Sequence, residues 1–301
     1  MFDRIVLERD LVDCRGEVLG RRGLVVSRQT VAEAAARAPV LPRRRLEESP
    51  LRGDVAAALD EPVHASLFAS PSVRASVQRA LLAVELPDAL LEELSALRRG
   101  ASRLYEHALA TAAVAARMSL AAAGPAKGIP ELAAAALLHD LGMRHLPPHL
   151  LENRDRLTRA ESTAVAAHPL LGAYHLAAVL GDHPAVAAAE GHHWRCGQGY
   201  PTLRSPPPRS VEVVAVASSF AALTQPRPFR SGVYGARAAA DVLVGEATLG
   251  HADVVTVKLL VHALRGGAGP VQQVRFAQER PGQAPSVNRH TRVSAPERSP
   301  V

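Results

Sequence analysis

Cysteine is almost missing from this chain. Cys14 and Cys196 are the only two among 301 residues, and they lie far apart. That excludes a disulfide framework and a zinc knuckle, and it points to a reducing compartment. Aromatic residues are scarce at 3%, while hydrophobic residues reach 48%. A core must therefore be built from Ala, Leu and Val, a composition that favours helix over sheet. No apolar run approaches the ~20 residues needed to span a bilayer. The opening Met1-Phe2-Asp3-Arg4 lacks a signal-peptide apolar segment. The expectation is a soluble, cytoplasmic chain with no membrane partner. Lysine is scarce too. Lys127 and Lys258 stand alone, and arginine supplies the rest of a formal net charge of +6. The arginines are scattered near acids, as with Glu92-Glu93 before Arg98-Arg99, and no basic stripe carries interleaved aromatics. Nucleic acid is not an expected partner.

Three regions are expected. Residues 1–100 form a small α+β lead-in. It has β-like pieces at Ile5-Val6-Leu7, Glu17-Val18-Leu19 and Leu24-Val25-Val26, a helix over 27–38 capped by Ser27, and a Pro- and Arg-rich linker over 39–50. Two further helical segments lead to Leu97, the second with Leu86, Leu90, Leu91 and Leu94 at helical spacing. Residues 101–266 read as all-α, with helices over 102–122, 130–141, 159–180, 184–193, 210–223, 235–245 and 252–265. Residues 267–301, rich in Gly and Pro, read as a disordered tail. The fold class is mainly α, a helical bundle behind a small α+β region.

Chemistry concentrates in the histidines. His139-Asp140 ends the apolar run from Leu132 to Leu138. His107 lies on an earlier helix, and His168, His192 and His193 follow. Imidazoles and a carboxylate without thiolates suit Fe, Mn or Zn and argue against a structural zinc. Helices converging in a bundle can bring such side chains to one interior point. Asp140 could then bridge two metals and act as the central catalytic carboxylate. His145, His149, His175, His183, His251 and His262 are read as bystanders.

The order of these motifs resembles the HD-GYP family. It runs His107, then Leu137-Leu138-His139-Asp140-Leu141-Gly142, then His168-Pro169-Leu170-Leu171-Gly172-Ala173, then His192-His193, then Gly197-Gln198-Gly199-Tyr200-Pro201. Ala222-Leu223-Thr224 and Arg227-Pro228-Phe229-Arg230 complete it. The resemblance covers roughly residues 102–265. It implies an HD-type helical fold, a two- or three-metal centre, of which this chain would keep one or two divalent metals (Fe, Mn or Zn) if any, and hydrolysis of cyclic di-GMP. It places His107, His139, Asp140, His168, His192 and His193 at metal positions. It gives the loop through Gly197, Gly199, Tyr200 and Pro201 to the site entrance or to a partner such as a diguanylate-cyclase-type domain.

The chain also departs from that pattern. Met143 stands where the family has a lysine, and Cys196 where it has a loop aspartate. Ser218 replaces the aspartate that ligates metal throughout the wider HD group, and Ala110 stands where an arginine usually follows the first histidine. Two alignments of the His-His pair remain open. One puts Gly191 and His193 at the family's first His and Glu; the other, with one deletion, keeps both histidines. Two readings follow. The first is a degenerate, weakly active or inactive phosphodiesterase module that binds a nucleotide or a partner. The second is an active metal-dependent cyclic di-GMP phosphodiesterase with a reduced ligand set.

Overall fold

Ser27 ends a strand and starts a helix, because its hydroxyl accepts the Thr30 N–H and Thr30 returns a hydrogen bond to the Ser27 backbone. Before it, β1 (Arg4–Val6) pairs antiparallel with β4 (Val25–Ser27), enclosing the hairpin of β2 (Leu11–Val12) and β3 (Val18–Gly20). Helix α1 (Arg28–Arg37) follows. This computed structural model describes residues 3–152, 155–196, 198–203, 205–267, 270–276 and 285–289.

The stretch expected to be a linker is built into the fold. Within it, β5 (Arg43–Arg45) pairs with the later β6 (Glu85–Pro87), and Leu46 is fully buried. Proline content suggested a linker, but buried apolar residues between the prolines tie the segment down. Between those strands lie α2 (Arg52–Leu59) and α3 (Pro71–Leu82); α4 (Asp88–Gly100) follows β6. Leu86 belongs to β6, so the leucine helix face is Leu90, Leu91, Leu94 and Leu97.

The centre of the molecule is α5 (Ser102–Ala123), buried from Ala108 to Met118. It packs against α2, α3, α4 and α6 (Ile129–Leu138), and later against α11 (Arg209–Thr224) and α13 (Val254–Leu264). The small alanine side chains of α5 and α6 permit this close approach, as the aromatic-poor composition requires. The remaining helices are α7 (Pro148–Leu151), α8 (Arg159–Val165), α9 (His168–Leu180), α10 (Pro184–Gly191) and α12 (Ala236–Thr248). One core runs from Leu7 to Val274 and is almost wholly Leu, Val and Ala.

Two further expectations change. The helix expected over 159–180 is two helices, broken at Ala166 and Ala167. Pro169 has no N–H to give Val165, and its ring would clash with that carbonyl, so the helix restarts. Taken as one run, Arg159–Leu180 is apolar and long enough to cross a membrane by composition, yet 61% of its most apolar window is buried. The expected disordered tail is partly structured. Val271–Gln273 forms a 3-10 turn against α13, Val274 is buried, and Asn288 bridges to Arg230. Polar composition hid the few apolar anchors. Residues 268–269, 277–284 and 290–301 lie outside the described residues.

Candidate metal centre

Helix ends build this site. The last carbonyls of a helix are short of intrahelical partners, and here four of them orient three imidazoles. His139 follows the last residue of α6, and its Nδ1 lies 2.7 Å from the Ala136 carbonyl. The break at Pro169 frees the Val165 carbonyl, which lies 2.6 Å from His168 Nδ1. His192 caps α10 with Nδ1 3.1 Å and 3.0 Å from the Ala188 and Ala189 carbonyls. A carbonyl only accepts, so each Nδ1 carries the proton and each Nε2 presents a lone pair. His107 sits inside α5 rather than at its end, and Gln225 Oε1 receives its Nδ1 at 3.0 Å.

Those lone pairs meet the Asp140 carboxylate. Its Oδ1 lies 3.2 Å from His168 Nε2 and 3.3 Å from His192 Nε2, with the two nitrogens 3.1 Å apart. Its Oδ2 lies 3.6 Å and 3.7 Å from His107 and His139 Nε2. His193 joins the Oδ1 side, so one group is Asp140, His168, His192 and His193, and the other is His107, His139 and Asp140. Ser218, on α11, stands in the second group, 3.1 Å from His139 Nε2 and 3.3 Å from His107 Nε2. The turn after Asp140 reaches α9 because Gly142 has no side chain. A Cβ there would fall 2.0 Å from the His168 carbonyl.

Burial pushes His107 down to about 3 and His139 down to about 4. Both are neutral at pH 7. Burial alone would raise the Asp140 carboxyl; only positive charge or a shared proton at the facing His139, His168 and His192 nitrogens holds it well below the carboxylate range. Asp140 Oδ1 is buried and receives no hydrogen bond. An anion ringed by imidazole lone pairs, with the Ser218 hydroxyl as a donor on the His107–His139 side and none at Oδ1, is a cradle for a cation, and nitrogen-rich donors with one carboxylate fit a divalent Fe, Mn or Zn.

All six expected ligand residues therefore converge, and of the two alignments the one keeping both histidines matches the geometry. Gly191, the alternative, has no side chain and ends α10. Of the expected loop, Gly199, Tyr200 and Pro201 are buried; Gly197 lies outside the described residues. Tyr200 stacks on His193, 4.6 Å between centroids, and lines the cavity beside it. Met143 lines the cavity above the cluster. Arg144 turns away to Glu93, 3.0 Å from its Oε2. Cys196 is exposed.

That cavity encloses about 920 Å³. Arg103, Arg227 and Arg230 lie in its wall. Arg227 belongs to the Arg227-Pro228-Phe229-Arg230 motif, and burial lowers its pKa while Asp140 opposes that shift. Gln225, Arg103 and Trp194 carried no sequence signal. Nor did Glu93. It looked like a surface acid near Arg98 but is fully buried, and Arg98 pairs with Asp54 instead.

Two histidines outside the cluster make an acid-stability prediction. Burial pushes His64 down to about 4 and His145 to about 3. The unfolded chain binds these protons near pH 6.5 and the folded chain does not. Stability is complete above pH 6.5 and falls as pH drops toward 4, on the order of 1.4 kcal/mol per pH unit for each group. Urea unfolding at pH 7 and at pH 4.5 measures this; equal stabilities would contradict it.

A family profile described as HD domain matches residues 88–254. A 3'3'-cGAMP-specific phosphodiesterase 1 from Vibrio cholerae is 32% identical over 102 residues, covering 32% of this chain. The chain covers only 23% of that relative's length. Among solved structures, the L. monocytogenes phosphodiesterase PgpH HD domain in complex with cyclic-di-AMP gives a TM-score of 0.46 at 18% identity, over 62% of this chain and 99% of that one. Bd1817, an HDG"Y"P protein from Bdellovibrio bacteriovorus, gives 0.45 at 16% identity, over 79% and 78% of the two chains.

Proposed function

The chain belongs to the HD domain family, and on that premise we propose that it is a cyclic-dinucleotide phosphodiesterase module of the HD-GYP type, slow because one of its two metal positions is weakened. The observation that carries this is the meeting of imidazole lone pairs on the Asp140 carboxylate, with no proton donor at Oδ1. His168, His192, His193 and Asp140 would hold one divalent cation; His107, His139, Asp140 and Ser218 would hold a second more loosely. Ser218 brings a neutral oxygen where a carboxylate would add charge. A bound divalent cation would polarise a phosphodiester oxygen and acidify water beside it.

The chain's own residues do the rest. Arg227 and Arg103 bring positive charge to the cavity wall beside His107, where a phosphate diester would lie. Met143 adds no charge at the place where relatives of this type carry lysine, so the arginines have that task alone. Tyr200 and buried Gly199 and Pro201 hold His193 in place and shape the entrance. The named activity of the Vibrio cholerae relative supports a cyclic dinucleotide over other phosphodiesters; cyclic di-GMP and 3'3'-cGAMP are the two to assay. The competing reading, a binding module without turnover, draws on the same Ser218 and Met143. A cyclase-type partner would have to read exposed Cys196 and Gln198, since Tyr200 faces inward.

Metal analysis and turnover decide between them. The purified chain is expected to carry about one equivalent of Fe, Mn or Zn, as one complete ligand group implies, and to linearise a cyclic dinucleotide slowly. Ser218→Asp, alone or with Met143→Lys, is expected to raise metal content toward two equivalents and to raise turnover about tenfold or more. A chain that takes up no metal under any of these conditions overturns the proposal. Metal without turnover, even in the double variant, favours the binding module.

A further inference from the structure

The chain has a single tryptophan, and it is not in the core. Trp194 lies half-buried in the cavity wall, one residue beyond His193. Its backbone N–H is tied to the Gly191 carbonyl at 2.8 Å, so the turn that carries the two histidines also fixes the base of the indole. Among the described residues, no aromatic ring stacks on the indole and no group accepts its Nε1–H. The largest aromatic surface of an aromatic-poor chain therefore faces open space beside the metal ligands. Core packing does not explain that placement, because Phe220 and Tyr105 show that rings needed for packing are buried. A flat π-face exposed in a cavity is the side chain that binds a nucleobase, and such stacking tolerates any base.

Position adds a direction. Arg227 acts on the His107 side of Asp140, and Trp194 extends the His193 side. A ligand with its phosphate over the Asp140 carboxylate would have its charge toward Arg227 and a base toward the indole. We propose that Trp194 is the stacking platform for one nucleobase of the bound nucleotide and so orients the phosphodiester across the Asp140 carboxylate. This rests on the phosphodiester reading of the cavity, but it makes its own claim: the chain recognises a base as well as a phosphate.

Because Trp194 is the only tryptophan, its fluorescence reports this site alone. The full chain is titrated with cyclic di-GMP, 3'3'-cGAMP and ribose 5-phosphate, with calorimetry measuring occupancy in parallel. Saturable quenching by the dinucleotides, absent with ribose 5-phosphate at matched occupancy, is the expected result. Trp194→Ala is expected to weaken dinucleotide binding on the order of tenfold or more while metal content is unchanged, and Trp194→Phe to keep most of the affinity. Dinucleotide binding with silent tryptophan fluorescence, or with unchanged affinity in Trp194→Ala, overturns the stacking platform and leaves the metal-centre reading standing. No binding heat from any dinucleotide to the metal-loaded parent overturns both. Should Trp194→Ala not fold, the quenching comparison and Trp194→Phe still decide.

Discussion

Replacing Asp140 with alanine is expected to empty the centre of metal and abolish turnover. The reason is geometric. Asp140 supplies Oδ1 to His168 and His192 and Oδ2 to His107 and His139, at 3.2 to 3.7 Å. Both ligand groups contain it, so its loss removes a donor from each position at once. It is also the carboxylate common to both groups, and imidazoles without it are neutral ligands facing a dication. Changing an outer-shell partner typically costs ~10–100-fold in metal affinity; removing this shared ligand is expected to cost more. Metal analysis after purification, and cleavage of a cyclic dinucleotide or bis-p-nitrophenyl phosphate, measure the two effects. Folding should survive, because removing Asp140 leaves unpaired only lone pairs that already repel it. Full metal occupancy in Asp140→Ala would show that the cation sits elsewhere.

The second large effect is on stability. Arg144→Ala is expected to destabilise the chain by about 3 kcal/mol, the range for breaking a buried ion pair on one side. Glu93 is fully buried on α4 with Oε2 3.0 Å from Arg144 Nε. Its Oε1 accepts the Cys14 N–H at 2.6 Å, and Arg144 also reaches the Val12 carbonyl at 2.9 Å. One pair thus fastens the β2–β3 hairpin to the turn that follows Asp140. Burial raises the Glu93 carboxyl and Arg144 opposes that rise. Without Arg144 the carboxylate has no cation of that strength beside it, and the hairpin loses a carbonyl partner. Equilibrium urea unfolding measures the loss. Replacing both members with apolar residues, Glu93→Leu with Arg144→Met, is expected to recover much of it. A loss under about 0.5 kcal/mol in Arg144→Ala, the size of an ordinary surface substitution, would mean that water already reaches Glu93.

Histidine position was readable because chemistry-bearing residues stood out against an Ala-Leu-Val background. His139-Asp140 at the end of an apolar helix, and four more histidines in order, are local facts of sequence. Their convergence was inferable, but the orientation of their rings was not. That depends on which carbonyls each helix end leaves free, and for His168 on the break imposed by Pro169, which the hydrophobic periodicity over 159–180 concealed. Glu93 was misread for a related reason. A charge beside other charges in sequence looks solvated, and only the packing of α4 against the hairpin and the Asp140 turn shows it buried with Arg144.

By itself the sequence determined a mainly helical chain with an Ala-rich core, the ordered His and Asp residues of an HD-type centre, and the loss of carboxylate and lysine at Ser218 and Met143. The first follows from composition and periodicity; the other two follow from the resemblance of the ordered motifs to a known family, and all are properties of the chain read in one dimension. Tertiary structure alone decided that both His192 and His193 lie with Asp140, that Arg227 and Trp194 line the cavity beside the cluster, and that the Pro-rich stretch at 39–50 and part of the C-terminal tail are fastened to the core. Those depend on distances between residues far apart in the chain, which packing sets and local sequence does not encode.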